Sequence, residues 1–223
     1  MTGPSMPPGA QPGSGATMQF SAGDTIYHAG LAGDGAWQVL HGTVRLDQPF
    51  DLRERFTQIT LAGELLGTES WLQLPHLHSA RALTDCRLRR LPAPGADDLP
   101  HWLGQAMCQQ SRRASEMVGL RTGSAPERVR RLLLLLAPDT TAVMLHGASD
   151  HALPRIKDMA TIVDVAPETV SRVLSSLRRS EVLHARHTRS ARFDPAQLAG
   201  YTLPPGMTRS ATGAPDPLPL RSR

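Results

Sequence analysis

The 223-residue chain is short of cysteine, of lysine and of long apolar runs, and each shortage excludes something. Cys86 and Cys108 are its only cysteines. With no CxxC spacing and no repeated framework they suggest neither a disulfide scaffold nor a cysteine-built cluster, and both read as small buried hydrophobes in a reducing cytoplasm. The longest uninterrupted apolar run, Leu132 to Ala137, is far below the roughly 20 residues that cross a bilayer. The N-terminal stretch MTGPSMPPGAQPGSGAT has no basic start followed by an apolar core, so neither secretion nor a membrane span is expected, and the expected location is the cytoplasm. There is no Gly-rich phosphate loop, nucleophile elbow or His-Glu-x-x-His pattern, so no enzyme is expected. Lys157 is the one lysine, which leaves arginine to carry the positive charge. A net charge of +4 and a pI near 9.8 favour a polyanionic partner, nucleic acid ahead of an acidic membrane surface.

What is present divides the chain into parts. Its length suits two modest domains, each with a core of its own. Residues 1–17 and 201–223 are rich in Gly, Pro, Ser and Thr and read as disordered tails. Residues 18–97 carry short alternating runs, such as Thr43-Val-Arg-Leu and Phe56-Thr-Gln-Ile-Thr-Leu, punctuated by Gly23, Gly30, Gly42, Gly63 and Gly67. Many short strands at close spacing predict an antiparallel barrel or sandwich. The period then lengthens: Leu99, Leu103, Ala106, Gln110, Arg113, Met117 and Leu120 recur at three- and four-residue steps, predicting one long amphipathic helix over 98–123. That seam suits either a second copy of the helix or the chain's own barrel.

Residues 124–200 read as a winged helix-turn-helix. Ser124-Ala-Pro-Glu127 is a capping-box start for a helix to about Ala137. After a loop around Pro138 to Pro154 come helices over 155–163 and 167–180, separated only by Asp164-Val165-Ala166. Pro167 suits the first helical position, because its ring presets φ and its missing N–H would have been unpaired there anyway. At about 100° per residue, Val170, Val173, Leu174 and Leu177 fall on one side and Glu168, Ser171, Arg172, Ser175 and Arg179 on the other. Arginine can donate twice to guanine, glutamate can accept from cytosine, and serine can do either, so Glu168, Ser171 and Arg172 are the base-reading candidates. Glu168 and Arg172, four apart, can also brace each other. Thr169, Lys157, Arg178, Arg179, Arg186 and Arg189 are the candidates for the phosphate backbone. Val182 to Arg186 and Arg189 to Phe193 read as a two-stranded wing turning at His187-Thr188, with Asp194-Pro195 capping a last short helix.

Over roughly Phe20 to Leu198 these residues resemble the CRP/FNR family, the cyclic-AMP receptor protein and its relatives. The resemblance rests on Phe20-Ser-Ala-Gly-Asp-Thr-Ile-Tyr, Gly30 with Gly33-Asp34, Gly42-Thr-Val-Arg-Leu, Gly63-Glu-Leu-Leu-Gly67, Glu127-Arg-Val-Arg-Arg-Leu, Lys157-Asp-Met-Ala and Pro167-Glu-Thr-Val-Ser-Arg-Val-Leu. It implies an α+β protein: an N-terminal cyclic-nucleotide-binding-like β jelly roll, a long dimerisation helix and a C-terminal winged helix-turn-helix. It further implies a homodimer on two-fold double-stranded DNA, contact with RNA polymerase, and base reading by Glu168, Ser171 and Arg172 in the FNR-like manner on TTGAT-like half-sites. Pro167 stands where cyclic-AMP receptors often carry arginine, which removes one contact.

The sensor half departs from that pattern. The Arg-Ser pair and the glutamate that hold the cyclic nucleotide in cyclic-AMP receptors correspond to His76-Leu77 and Thr68, and neutral side chains do not replace a guanidinium on an anion. Arg81 could serve in a shifted register. Glu64, Thr68, His76 and Arg81 are therefore the candidate effector pocket, without the usual cyclic-nucleotide contacts. Two cysteines cannot supply the four thiolates of an FNR-type iron–sulfur cluster. His76 and His78 have nitrogens for haem or another metal but read as surface loop histidines, so no cofactor is expected. The main reading is a DNA-binding transcription regulator with an unknown or absent ligand. The alternative is a cyclic-nucleotide- or haem-responsive sensor whose helix-turn-helix contacts protein.

Overall fold

The computed structural model describes residues 15–33, 35–51, 53–137, 149–187 and 189–202. Eight strands form the N-terminal barrel: β1 (Thr17–Phe20), β2 (Thr25–Tyr27), β3 (Ala36–His41), β4 (Thr43–Phe50), β5 (Arg53–Leu61), β6 (Leu65–Leu66), β7 (Ser79–Ala82) and β8 (Cys86–Leu91). They pair antiparallel in two four-stranded sheets, β1-β8-β3-β6 and β2-β7-β4-β5. Period-two alternation explains both faces. Val44 and Leu46 of β4, Ala80 and Ala82 of β7, and Trp37, Val39 and Leu88 of the other sheet point inward and make the barrel core. Gly42 alone separates β3 from β4; its φ is 88°, and a Cβ there would lie 2.4 Å from the Asp85 carbonyl oxygen. Cys86 is buried, as expected, and burial pushes its thiol pKa up.

Helix α1 (Leu99–Arg121) follows. Its buried residues are Trp102, Ala106, Gln109, Arg113, Met117 and Leu120, so the seam read from the sequence belongs mostly to the helix's own chain. The stripe is rotated slightly from the expected one: Gln109 is buried in place of Gln110, and Trp102 in place of Leu99 and Leu103. Cys108 lies on the exposed side, which corrects its reading as a buried hydrophobe.

Helix α2 (Ala125–Leu136) starts with the predicted capping box, the Glu127 backbone donating to Ser124 Oγ and Glu127 Oε2 accepting from the Ser124 backbone. It then organises its neighbours through three arginines. Arg128 donates to the carbonyls of Val163 and Asp164, Arg130 to those of Ala199 and Tyr201, and Arg131 to those of Gly119 and Thr122. Each cation meets the C-terminal end of a different helix, where free carbonyls and the macrodipole favour positive charge. Part of the arginine excess is thus structural and not available to a polyanion.

Helices α3 (Ile156–Val163) and α4 (Pro167–Arg179) form the helix-turn-helix, turning at Asp164 with φ 51°. The wing has three strands, not two: β9 (Ser149–Ala152) pairs with β11 (Ser190–Phe193), which pairs with β10 (His184–His187). β9 lies in the stretch read as loop; Ser-Asp-His-Ala is too short and polar to show a strand period. Val182 and Leu183, expected in the first wing strand, sit in the core just before it. Helix α5 (Pro195–Gly200) is capped by Asp194 Oδ1 accepting from the Ala196 backbone, as predicted. Of the expected tails, Thr17 already belongs to β1, paired with Arg89 of β8, which corrects the end of the first; residues 1–14 and 203–223, most of the 138–154 loop and the Thr188 turn position fall outside the described residues.

The C-terminal core is not separate from the barrel. One apolar cluster runs from Phe56, Ile59 and Leu83 on the outside of the barrel, through Met117 and Leu120 of α1 and Val129, Leu132 and Leu133 of α2, to Ile162, Val170, Leu174 and Leu177. The barrel keeps an interior core of its own, as expected for two domains, and the C-terminal core extends onto the barrel's outer face. Truncating one fully buried leucine of the cluster, such as Leu132, costs about 2–5 kcal/mol by lost transfer energy and the cavity left behind.

Candidate nucleic-acid interface and barrel pocket

Helix α4 has two unlike sides. Val170, Val173, Leu174 and Leu177 are at most 3% exposed, which fixes the rotation of the helix about its axis. Glu168, Ser171, Arg172, Ser175, Arg178 and Arg179 are exposed, and Thr169 is half-buried. None of the described hydrogen bonds or ion pairs engages Glu168, Ser171 or Arg172, so the brace between Glu168 and Arg172 is not formed. Lys157 is exposed on α3, and Arg189 is exposed beside β11. Arg186 has its backbone in β10, and its side chain lies outside the described residues. The turn that sets α3 against α4 is held by Arg128, which the sequence offered only as part of a helical run. Behind the wing, His151 is buried against Phe193 with ring centroids 4.3 Å apart, and burial lowers its pKa below the ordinary histidine value.

The four pocket candidates of the barrel are taken to different places. Glu64 is buried and receives Arg113 of α1, Nε at 3.0 Å from both carboxylate oxygens and Nη2 at 2.7 Å from Oε1, while also accepting from the Leu61 backbone at 2.9 Å. Arg113 also donates to Glu116. Burial opposes the Arg113 cation, but the bonds and charges of Glu64 and Glu116 outweigh it and hold its pKa above the ordinary value. One turn earlier, Gln109 pairs with Leu65 as a backbone would, donating to its carbonyl at 2.7 Å and accepting from its N–H at 2.9 Å. Two polar side chains in the seam thus fasten α1 to the Gly63-Glu-Leu-Leu-Gly67 turn.

His76 is not a surface loop histidine. It is 4% exposed, stacks on Tyr27 at 3.8 Å between centroids, and has Nδ1 3.1 Å from Glu69 Oε1. Gly33 and Gly67 make room for the ring, since a Cβ would lie 2.9 Å or 3.0 Å from its Cε1. Gly67 has φ 69°, so its lack of a side chain serves both the turn and the packing. Burial first, and Glu69 second, push the Tyr27 hydroxyl pKa well up. Burial likewise lowers the pKa of His78.

Thr68 borders the space left between Tyr27, Gln58, Glu69, His78 and Gln109, a cavity of about 20 Å³. That holds about one water molecule, whereas small-molecule pockets run to about 300–1,000 Å³. A larger open cleft of about 500 Å³, along Gln19, His41, Asp85 and Arg87, contains none of the four candidates. Arg81 points out of the barrel and bonds Asp158 of α3 at 2.7 Å.

Comparison with known proteins agrees with this architecture. A family model for the cyclic nucleotide-binding domain matches residues 17–99. The nitrogen fixation regulation protein FixK of Bradyrhizobium diazoefficiens is 30% identical over 195 residues, covering 82% of this chain and 81% of its own. The HTH-type transcriptional regulator Cmr of Mycobacterium tuberculosis is 27% identical over 155 residues, 62% of this chain and 63% of its own. Among solved structures, FixK2 from Bradyrhizobium japonicum superposes with a TM-score of 0.65 at 22% identity, covering 83% of this chain and 96% of that one. A CRP/FNR-family regulator from Thermus thermophilus gives 0.61 at 24%, covering 87% and 99%. The barrel, the long helix, the helix-turn-helix with its open polar face and the extent of the FixK match lead to one assignment: the chain belongs to the CRP/FNR family of DNA-binding transcription regulators.

Proposed function

We propose that the protein works as a homodimer on a two-fold DNA site and needs no cyclic nucleotide to do so. The observation that carries this reading is the polar face of α4: its apolar side is fully used in the core, while Glu168, Ser171 and Arg172 are exposed and, among the described residues, engaged by no neighbour. These three read base edges, and Thr169, Lys157, Arg178, Arg179, Arg186 and Arg189 hold phosphates. The dimer reading is supported by the other side of α1. There Met107, Ser111, Ala114 and Val118 recur at steps of four, three and four and are all exposed, Met107 by 73% and Val118 by 65%. A two-fold dimer sets its reading helices in successive major grooves, about one helical turn apart.

The filled barrel supports an effector-free regulator over the cyclic-nucleotide- or haem-responsive alternative, since Tyr27 and His76 occupy the interior and Glu64 is spent on Arg113. Action in the cytoplasm, contact with RNA polymerase, and the absence of a catalytic role belong to the same reading. Selecting bound sequences from random DNA with the purified protein tests it. A two-fold motif with half-sites one turn apart is expected; recovery of no motif contradicts DNA reading, and a single unrepeated half-site contradicts the dimer.

A further inference from the structure

The outer row of the β2-β7-β4-β5 sheet carries a charge arrangement that the barrel alone does not explain. Arg45 of β4 and Arg81 of β7 are direct cross-strand partners, and both point outward because Val44, Leu46, Ala80 and Ala82 point in. Like charges opposite each other destabilise an antiparallel pair. Among the described residues of the barrel only half of the compensation is present: Asp47, two residues along the same face, takes Nε of Arg45 at 2.7 Å and 2.8 Å. The other half comes from the helix-turn-helix. Asp158, in the first turn of α3, receives Arg81 Nη2 at 2.7 Å and Arg45 Nη1 at 3.4 Å on the same oxygen, Oδ1. Exposures of 11%, 5% and 13% for the side chains of Arg45, Asp47 and Asp158, and 31% for Arg81, place the group at the rim of the joint, neither in full solvent nor sealed.

The apolar part of the same joint has little power to fix an angle. Phe56 and Ile59, in the neighbouring positions of β5, meet the C-terminal cluster, and Arg45 lies 5.3 Å and Arg121 5.5 Å from the Phe56 ring centre. Apolar surface is non-directional, so it holds α3 near the sheet without setting its orientation. A carboxylate shared by two guanidiniums on neighbouring strands does set it, because its distances close only for one placement of α3. Lys157, the adjacent phosphate candidate, and α4, three residues beyond the end of α3, are carried along with that placement.

We infer that Arg45, Arg81 and Asp158 are positioning residues for DNA reading: they lock the helix-turn-helix to the barrel at the angle from which both recognition helices of a dimer meet successive grooves. The inference rests on the two-fold reading above. A preset angle costs nothing on binding, whereas a loose unit must be ordered twice when both half-sites are engaged, and only once on a single half-site. The two kinds of DNA therefore separate positioning from contact. Arg81→Gln and Asp158→Asn should each weaken binding to the selected two-fold fragment by roughly tenfold at fixed salt, and binding to a fragment carrying one half-site by only the square root of that, about threefold. The double variant should lose no more than either single one, and the exchanged pair Arg81→Asp with Asp158→Arg should recover most of the loss.

The experiment is titration of the full-length parent and these variants against both fragments, with thermal melting to establish the folded fraction. Arg81→Gln, at the exposed end of the group, carries the test if Asp158→Asn melts early. Unchanged affinity for the two-fold fragment, or an equal loss on both fragments, overturns the inference. A parent that recognises no two-fold fragment overturns the reading beneath it and the inference with it.

Discussion

The two halves of the chain treat their polar side chains in opposite ways. In the barrel and on the side of α1 that faces it, Glu64, Glu69, His76, Gln109 and Arg113 are turned inward or sideways and bonded to one another or to backbone, leaving a space of about 20 Å³. On α4, Glu168, Ser171 and Arg172 face outward and are bonded to nothing described. A polar group already satisfied by its own chain has nothing left for a ligand, and taking its partner away is costly. A polar group left in water has its bonds to give. The difference separates a unit whose polar residues hold shape from one whose polar residues are offered to a partner, and substitutions in the two places should be read by different instruments.

The largest effect is expected in the barrel. Arg113→Ala leaves Glu64 buried without its cation and should cost about 3–5 kcal/mol of unfolding free energy, measured by chemical denaturation. A loss below about 1 kcal/mol would mean that this ion pair does not hold α1 to the turn. On the helix, Arg172→Ala should leave unfolding unchanged and weaken binding to the selected site by about 1–3 kcal/mol, with discrimination relaxed at one base pair. A variant that loses stability instead would erase the contrast between the two regions. Between these lies the outer face of α1. Val118→Glu places like charges against each other in the proposed dimer and should shift sedimentation towards the monomer without lowering the melting temperature of the barrel.

The smallest effect concerns pH. His151 is buried beneath the wing with its pKa lowered, so the folded protein binds this proton less readily than the unfolded chain. Its neutral form is compatible with the fold above the unfolded value near 6.5, and stability is lost as pH falls from there through the lower folded value. Melting temperature should therefore decline on acidification, and His151→Gln should flatten part of that decline. An unaltered pH profile would show that the wing does not contribute to it.

Much of the output half was legible in the sequence because its signals are local. Ser124 with Glu127, Pro167 at a first helical position and the 3.6-residue spacing of Val170, Val173, Leu174 and Leu177 each act within a turn or two of helix. What escaped depends on residues far apart in the chain. The identity of the buried stripe of α1 depends on which turn of the barrel it meets, so Gln109 and Arg113, not Gln110, face Leu65 and Glu64. The three arginines of α2 lie in a helical run that names no partner for them, and only the assembled bundle shows each at the end of another helix. Arg81 joins the pocket candidates only in a shifted register, and the sequence does not fix that register. A one-residue slip turns a strand side chain from the inside of a barrel to the outside, where Arg81 meets Asp158.

The most direct test is the affinity of the purified, ligand-free protein for its selected two-fold site, measured at fixed salt with and without added cyclic AMP. With the interior filled by Tyr27 and His76 and the face of α4 open, binding in the range of about 10 nM or tighter is predicted without the nucleotide, and the same value with it. Binding that appears only when cyclic AMP is present would contradict the account, because the barrel would then have to open a pocket that its own side chains fill.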